Sequence, residues 1–177
     1  MTGMRWLVDG YNVIRRSPEL AARERRSLEE GRQALCGLLA RAARASGDEF
    51  TVVFDGARGG GTGSGGAGVR VVFSSARETA DRVLARLAAS GGAVVSNDRE
   101  VRRAGARAGA VAVSTDDLLQ RLERLLAGPE VAGHDSKEVD AGEEDDAPPR
   151  PKKGNPRRLP KKRRAAARAL DRLRPGP

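Results

Sequence analysis

Polar side chains that can bind a hard metal ion stand directly after short apolar runs of this sequence. Asp9 ends one run, Asp55 ends a second, and Asn97-Asp98 follows a third. Their oxygen atoms are the ligands that Mg²⁺ and Mn²⁺ prefer. The chain holds a single histidine and a single cysteine, too few for a zinc site of the usual kind. Metal-assisted hydrolysis is therefore the chemistry that these residues favour.

Glu78 and Asp81 add two carboxylates on a helix that is predicted to begin at Ser75. The two residues are three positions apart, so they share one face of the helix. Asp81 is expected about two turns into this helix, beyond the influence of its N-terminus. Asp9 is expected to precede a loop that begins at Gly10, where no helix would need a capping residue. Asp9 and Asp81 are therefore the acids that a structural role explains least.

Structural explanations compete with metal binding at the other acidic positions. Glu78, Asp98 and Asp116 fall in predicted first helical turns, where a carboxylate stabilises the helix dipole by about 0.3–1 kcal/mol. We favour that explanation for Glu78 and Asp116. Asp55 precedes a glycine and is equally consistent with a turn. Carboxylates about 5 Å apart repel by about 3 kcal/mol per pair at an effective dielectric of about 20, and a divalent cation removes that cost.

The apolar runs predict five strands that alternate with helices. The strands are Met4–Asp9, Phe50–Asp55, Val69–Ser74, Gly92–Ser96 and Ala110–Val113. Helices are expected over 17–45, 75–89, 97–106 and 114–127, with a loop over 10–12 and a mobile glycine-rich loop over 59–68. Continuous apolar strands between helices are typical of a mainly parallel sheet buried on both faces, which predicts a three-layer α/β sandwich. Ligands bind such sheets beyond the carboxyl ends of the strands, where the acids lie.

Charge is distributed unevenly along the chain. Residues 1–129 hold 20 basic and 15 acidic side chains together with nearly all the bulky apolar ones. Residues 130–149 hold one lysine and eight acids, and residues 150–177 hold 12 basic residues and one acid. Blocks of like charge stay solvated. The sequence therefore predicts a folded domain over 1–129, a disordered acidic linker over 130–149, and a basic tail over 150–177 that is disordered or becomes helical on binding RNA.

A basic tail of this size favours a polyanion as partner, and nucleic acid is the commonest one. The tail residues expected to bind RNA are Lys152, Lys153, Arg157, Arg158, Lys161, Lys162, Arg163 and Arg164. Arg77, Arg82 and Arg99 lie near the acidic positions and are expected to hold the RNA backbone. A solvated helix surface is the simpler explanation for each of these three arginines alone. Arginine richness in the domain also fits a biased base composition of the genome.

No feature of the sequence indicates a membrane or an oxidising compartment. The N-terminal apolar run is too short for a secretory signal peptide, and no segment approaches the ~20 apolar residues of a membrane span. Cys36 is the only cysteine and cannot form an internal disulfide. We therefore expect a cytoplasmic protein with no membrane partner and no disulfide-linked partner.

Four short motifs occur in register with the predicted strands. They are Leu7-Val8-Asp9-Gly10-Tyr11-Asn12-Val13-Ile14, Val53-Phe54-Asp55, Val72-Phe73-Ser74 with Glu78-Thr79-Ala80-Asp81, and Val95-Ser96-Asn97-Asp98. Together, over about residues 4–127, they resemble the YacP-like branch of the NYN family, within the PIN-like nuclease superfamily. The glycine-rich segment and the tail after Gly128 depart from that pattern, and the tail is expected to be an addition.

The resemblance implies a PIN-like fold and an endoribonuclease that hydrolyses RNA with Mg²⁺ or Mn²⁺. By position, Asp9, Asp81 and Asp98 match the family's metal-binding acids, and Asn12 matches the polar residue of its first motif, which places these four in the catalytic site. The positions that match supporting residues are Asp55, Glu78 and Asn97. The branch includes a ribosome-associated endoribonuclease that cleaves messenger RNA during translation, so the resemblance also implies the ribosome as a partner.

Other functions fit the sequence less well. A non-catalytic RNA-binding protein with a PIN-like fold is the main alternative, and the presence of Asp9, Asp81 and Asp98 argues against it. A phosphohydrolase of Rossmann-like type would need a second aspartate where Tyr11 stands. The glycines of a dinucleotide site must open a helix, whereas those at 59–61 precede a predicted strand. An aromatic content of 3% leaves no base-stacking surface of the RRM type.

Overall fold

Six strands form one sheet in the computed structural model, which describes residues 3–56, 61–127 and 161–175. They are β1 (Arg5–Asp9), β2 (Glu49–Phe54), β3 (Gly61–Gly66), β4 (Val69–Phe73), β5 (Ala93–Val95) and β6 (Val111–Val113). The strand order is β3-β4-β2-β1-β5-β6, and every neighbouring pair is parallel except β3 with β4. The prediction of a mainly parallel α/β sheet is confirmed.

Helices cover both faces of the sheet. They are α1 (Gly10–Arg16), α2 (Pro18–Arg26), α3 (Leu28–Ser46), α4 (Ala80–Ala88), α5 (Arg99–Arg107), α6 (Thr115–Ala127) and α7 (Lys161–Arg172). Trp6 and Val8 of β1 face a core formed with α1, α2, α3 and α6, whereas Leu7 faces a second core formed with α4 and α5. Successive side chains of a strand point to opposite faces, so one buried strand supplies both cores. None of the helices that the structure describes is long and apolar enough to cross a membrane.

The glycine-rich segment contains a strand, so the predicted mobile loop over 59–68 is wrong for residues 61–66. This segment, β3, pairs antiparallel with β4 through the turn at Ala67-Gly68 and makes the sheet six-stranded rather than five-stranded. Its backbone lies close to its neighbours. A Cβ on Gly65 would stand 2.7 Å from a methyl of Val69 and 3.0 Å from the Cys36 sulfur. Glycine therefore serves close packing at this position as well as flexibility.

Three helices replace the loop over 10–12 and the single helix predicted over 17–45. Asp9 is the N-cap of α1 and accepts a hydrogen bond from the Asn12 amide. Ser17 caps α2 with proline at its first position, as predicted, but a second serine, Ser27, interrupts the helix and caps α3. A serine oxygen that accepts a bond from an amide of the next turn competes with helix continuation. The prediction that no helix begins after Asp9 is therefore wrong.

Two further helix starts differ from the prediction. Ser75 and Glu78 form an isolated backbone bridge rather than a capping box, and α4 begins at Ala80 with Thr79 as its cap. Asp81 therefore lies in the first turn of α4 and not two turns inside the helix. Asp98, rather than Asn97, caps α5. Helix-dipole stabilisation thus contributes at both aspartates.

The last helix, α7, packs against β6 and α6. Of the two forms expected for the basic tail, disordered or helical on binding RNA, residues 161–172 take the helical one. Ala169 and Leu173 are buried, and Arg121 Nε donates a hydrogen bond to the Leu173 carbonyl oxygen at 2.9 Å. Alanines favour the helix, and Ala166, Ala169 and Leu173 give it an apolar face. The acidic linker and the tail residues Lys152, Lys153, Arg157 and Arg158 lie outside the described residues.

Candidate active site

The carboxyl ends of the parallel strands meet at one edge of the sheet, and Asp9 stands at its centre. Asp9 is the last residue of β1, which lies between β2 and β5. Its Oδ1 accepts the Asn12 amide at 3.3 Å, and its Oδ2 accepts the Ser96 hydroxyl at 3.0 Å. Each carboxylate oxygen has a second lone pair available for a cation. The carboxylate is therefore held in place and can still act as a ligand.

Ser96 links Asp9 to Asp98. The hydroxyl of Ser96 is fully buried at the end of β5, and its oxygen accepts the backbone amide of Asp98 at 3.0 Å. Asp98 Oδ1 in turn accepts the amides of Glu100 and Val101 at the start of α5. The N-cap bonds fix the Asp98 side chain at the edge of the sheet. Ser96 connects this residue to the Asp9 carboxylate.

Asp81 approaches the same edge from α4. Burial raises the pKa of Asp81, and the nearby negative charges of Asp98, Asp55 and Glu100 raise it further. Burial likewise raises the pKa of Asp9 against the lowering effect of its hydrogen bonds, and the charges of Asp81 and Asp98 add to the rise. The carboxylates that sequence analysis assigned to a metal site therefore lie within electrostatic reach of one another.

Asp55 has a serine partner of the same kind as Asp9. Ser74, which is buried at the end of β4, donates to Asp55 Oδ1 at 2.5 Å and accepts the Gly56 amide at 3.3 Å. Sequence analysis left open whether Asp55 belongs to a turn or to the site. The structure brings it to the cleft and within electrostatic reach of Asp81, while its hydroxyl partner holds the local turn.

Asn12 connects three strand ends through one carbonyl oxygen. Asn12 Oδ1 accepts the Asn97 backbone amide at 2.8 Å and the buried Thr115 hydroxyl at 2.9 Å. Because a backbone amide can only donate, the carbonyl side of Asn12 must point to Asn97. The amide nitrogen Nδ2 makes no hydrogen bond to any described residue and remains available as a donor in the cleft, which Asn12 lines.

Asn97 and Asp116 extend this network. Asn97 Oδ1 accepts the Thr115 amide at 3.0 Å, and Asn97 Nδ2 donates to Asp116 Oδ2 at 2.9 Å. The other oxygen of Asp116 accepts Arg16 Nε at 2.5 Å, and these bonds, that from Arg16 foremost, lower the pKa of Asp116. Sequence analysis explained Asp116 as a helix-dipole residue, and the structure gives it a second role that joins α6 to α1.

Buried hydroxyls are the site residues that sequence reasoning missed. Ser74, Ser96 and Thr115 are each at most 1% exposed and lie just beyond β4, β5 and β6. Ser74 orients Asp55, Ser96 orients Asp9, and Thr115 orients the side chain of Asn12. The sequence contains a pattern that could have found the two serines, because the valine-rich runs of β4 and β5 both end directly in serine.

A cleft of about 710 Å³ opens beside these residues, and both acids and arginines line it. Its acids are Asp9, Asp55 and Asp81, and its arginines are Arg15, Arg16 and Arg32. Arg32 is held firmly, because it donates to the Tyr11 hydroxyl at 2.9 Å through Nε and its guanidinium lies 5.3 Å from the centre of the Phe73 ring. These three arginines were not among the residues that the sequence singled out. A cleft lined by carboxylates and guanidinium groups suits a phosphate chain with a bound cation.

Gly10 explains why the first motif requires glycine after Asp9. A Cβ on Gly10 would stand 2.3 Å from Cε1 of Phe54. The ring of Phe54 in turn contacts Tyr11 edge-on, with ring centres 5.3 Å apart. Because Gly10 has no side chain, the first turn of α1 can pack closely against Phe54 of β2. This packing brings Asn12 to the strand ends.

Four residues predicted to support the site or to bind RNA lie apart from the cleft. Glu78 forms a paired hydrogen bond with Arg86 at 2.9 and 3.0 Å, and this bond lowers the pKa of Glu78. Arg77 is exposed and does not line the cleft. Arg82 and Arg99 line surface grooves along α5 instead. Glu78 is therefore engaged in a surface ion pair, in line with the structural explanation favoured for it.

The donor set at this edge fits a hard divalent cation by its chemistry. All the candidate ligands are oxygen atoms, and burial, followed by repulsion between the carboxylates, raises the pKa of Asp9 and of Asp81. Within the described residues, no three His, Cys, Asp or Glu side chains lie close enough to surround an ion directly. Mg²⁺ usually keeps several waters and takes one or two carboxylates, so this spacing is compatible with a partly hydrated ion.

Comparison with known proteins gives the same assignment as the motifs. The YacP-like NYN domain family matches residues 6–147. The crystal structure of Rae1 (YacP) from Bacillus subtilis is 31% identical and covers 67% of this chain and 72% of that chain, with a TM-score of 0.56. A Trp-to-Leu mutant of the same protein is 30% identical and covers 70% and 76%, with a TM-score of 0.59. No curated protein matches the chain.

The family match extends well past Gly128 and includes the segment up to residue 147. The sequence had predicted instead that the whole tail after Gly128 is an addition to the domain. The match includes all four motifs and the strand ends that carry the aspartates. The chain therefore belongs to the YacP-like NYN domain family, a nuclease-type family.

Proposed function

We propose that this protein is a metal-dependent endoribonuclease that hydrolyses RNA phosphodiester bonds. The observation that carries the proposal is the gathering of four aspartates at one sheet edge, where burial and mutual repulsion raise the pKa of Asp9 and Asp81. Perturbed carboxylates in a cleft are typical of functional sites, and a cation would neutralise their repulsion. The three arginines that line the cleft support a polyanionic substrate.

In this proposal Asp9, Asp81 and Asp98 hold Mg²⁺ or Mn²⁺, with one or two of them as direct ligands and the rest acting through water. When bound, the cation supplies a water of lowered pKa and polarises the phosphate. Ser96 has a positioning role, because its hydroxyl holds Asp9 while its oxygen accepts the Asp98 amide. No nucleophilic side chain is needed, and the expected products carry 5′-phosphate and 3′-hydroxyl ends.

The substrate is held by groups that the fold has already fixed. The backbone amide of Asn12 bonds to Asp9, and the side-chain Oδ1 is taken up by Asn97 and Thr115. We assign the remaining donor of Asn12, Nδ2, to a phosphate oxygen or to the attacking water. Arg32 is fixed by the Tyr11 hydroxyl and by aromatic rings, so it can bind a phosphate with little loss of side-chain freedom. Asp55 and Asn97 support the site by holding the neighbouring turns.

For the place of action we propose the cytoplasm and messenger RNA on the ribosome. The support is the branch of the family that the first motifs resemble, which includes a ribosome-associated endoribonuclease.

A non-catalytic RNA-binding protein with the same fold is the second candidate. The observation that favours it is that no three acidic side chains of the described residues lie close enough to surround an ion directly. This candidate predicts that RNA binds equally well with and without Mn²⁺ and that no new RNA ends form.

The deciding experiment measures cleavage of labelled single-stranded, structured and ribosome-bound RNA by the full chain, with Mn²⁺ and with EDTA. Asp9→Asn, Asp81→Asn and Asp98→Asn should each lose cleavage by about 100-fold or more while remaining folded, the scale expected for removing one charged group that acts in the transition state. Thermal melting in EDTA checks folding. Full activity in Asp9→Asn or Asp98→Asn would refute the assignment.

Glu123→Gln is the matched control. Glu123 lies on α6, is exposed, and lines neither the cleft nor any other groove of the described residues. Its replacement should leave cleavage unchanged. Asp116 is unsuitable as a control, because it bonds to both Asn97 and Arg16.

A further inference from the structure

A basic groove runs along α5, outside the cleft. The groove has a volume of about 400 Å³ and lies between α5, the end of β6 and α7. Its cations are Arg99, Arg102 and Arg103 from α5 and Lys162 and Arg163 from α7. Asp117 is the only acid that lines it among the described residues. We refer to these five basic residues as the α5–α7 groove.

The cations of the α5–α7 groove are not neutralised by the protein. The ion pairs of the described residues involve Arg15, Arg16, Arg26, Arg32 and Arg86, and none of the groove residues. Like charges so close together destabilise a surface unless counter-ions or a polyanion offset the repulsion. Surface arginines that only keep a helix soluble would be interspersed with acids, as where Arg26 of α2 pairs with Glu30 of α3.

Two segments that are far apart in sequence form the groove, and the fold holds them together. Lys162 and Arg163 stand on the first turn of α7, which is fixed by the burial of Ala169 and Leu173 and by the hydrogen bond from Arg121. The basic residues of α7 are therefore placed by packing rather than carried on a free tail. The groove exists only while α7 is docked.

The groove begins next to the cleft. Asp98 caps α5, Arg99 follows it directly, and the four arginines of α5 then extend over about 12 Å along the helix. Arg103 also lines a neighbouring groove that it shares with Asp81 and Arg82. A strand of RNA that leaves the carboxylate edge can therefore meet the arginines of α5 directly, with Glu100 as the one acid of that helix.

We propose that the α5–α7 groove is a second RNA-binding site that holds the phosphate backbone of the strand leaving the cleft. The proposal deepens the proposed function, since it takes RNA as the polyanion, but it does not require cleavage. Recognition is by charge and is independent of sequence, because no aromatic side chain lines the groove to stack a base. The docked helix α7 thereby acts as part of the RNA-binding surface.

The test measures binding of a fluorescently labelled single-stranded RNA to the full chain in EDTA, at several salt concentrations. The variant Arg102→Gln/Arg103→Gln/Lys162→Gln removes three of the five cations. Each phosphate contact with single-stranded RNA contributes about 0.7 to the slope of log affinity against log salt, so the slope should fall by about 2. The matched control, Arg25→Gln/Arg41→Gln/Arg44→Gln, removes three exposed arginines of α2 and α3 that line neither the cleft nor the α5–α7 groove.

Cleavage measured in parallel separates the two proposals. The groove variant should cleave a very short RNA with Mn²⁺ as the wild type does, and should show a raised KM only for longer RNA. Loss of binding without any cleavage by the wild type would support the groove and refute the nuclease. An unchanged salt slope in the groove variant, or an equal fall in the control, would overturn the groove. Salt-dependent binding to anionic lipid vesicles but not to RNA would also overturn it.

Discussion

Removing the Asn12 side chain should destabilise the protein and not only reduce its activity. In Asn12→Ala the Asn97 amide and the Thr115 hydroxyl both lose their acceptor. Thr115 is fully buried, so water cannot replace the lost partner there, whereas Asn97 is half-buried. A buried donor left without a partner costs about 1–3 kcal/mol.

The expected loss in the free energy of unfolding is therefore about 2–4 kcal/mol, with the larger share at Thr115. For a chain of this length, each kcal/mol lowers the melting temperature by about 2–4 °C, which gives a total of about 4–16 °C. Thr115→Val removes the donor instead of the acceptor and should cost less, because it leaves no unpaired donor.

The assay is urea unfolding of the wild type, Asn12→Ala, Thr115→Val and the double variant, in EDTA. The losses in the free energy of unfolding of the two single variants, added together, should exceed the loss of the double variant by about 0.5–1.5 kcal/mol. This difference is the net contribution of the shared hydrogen bond. Strict additivity of the two substitutions would show that the bond contributes nothing, and the account of Asn12 as the connection between strand ends would then be wrong.

Two further predictions concern the first motif. Gly10→Ala forces a Cβ against the Phe54 ring and should lower the free energy of unfolding by about 1–3 kcal/mol in urea titrations, whereas Gly37→Ala on α3 meets nothing within 4 Å and should be neutral or stabilising. In metal-free protein, the raised pKa of Asp9 means that the stability it contributes is complete below its ordinary pKa of 3.8 and is lost as the pH rises through the raised value. Asp9→Asn should therefore become more stable relative to the wild type as the pH rises above 3.8 through the raised pKa of Asp9, and a pH-independent difference in urea midpoint would contradict this.

The sequence was sufficient to predict the parallel sheet and the edge at which the acids lie, because both depend on short-range patterns. Apolar runs bounded by turn residues locate strands, and parallel strands place their carboxyl ends together. This reasoning put Asp9, Asp55 and Asp98 at one edge, where the structure finds them. Asp81 was placed at the correct edge for the wrong reason, since it lies in a first helical turn.

Features that depend on tertiary contacts could not be predicted. The segment that forms β3 carries no apolar pattern, and its strand conformation comes from pairing with β4. The basic charge of α7 concealed an apolar stripe of only a few residues, whose burial depends on a surface of β6 and α6 far away in sequence. The role of Ser96 likewise depends on the neighbouring strand, because its partner Asp9 is 87 residues away.

The composition of β3 determines which part of the sheet opens first. Four of its six residues are glycine, and each gives up about 0.5–1 kcal/mol more conformational entropy than alanine would on folding. Its side chains are almost entirely exposed, so backbone pairing with β4 is its principal attachment. Local unfolding should therefore release this hairpin strand as a separate cooperative unit, and its amides should exchange with solvent before those of the five parallel strands. Since Asp55 precedes β3 by only a few residues, this opening would free one rim of the cleft while the strands that carry Asp9 and Asp98 stay in place.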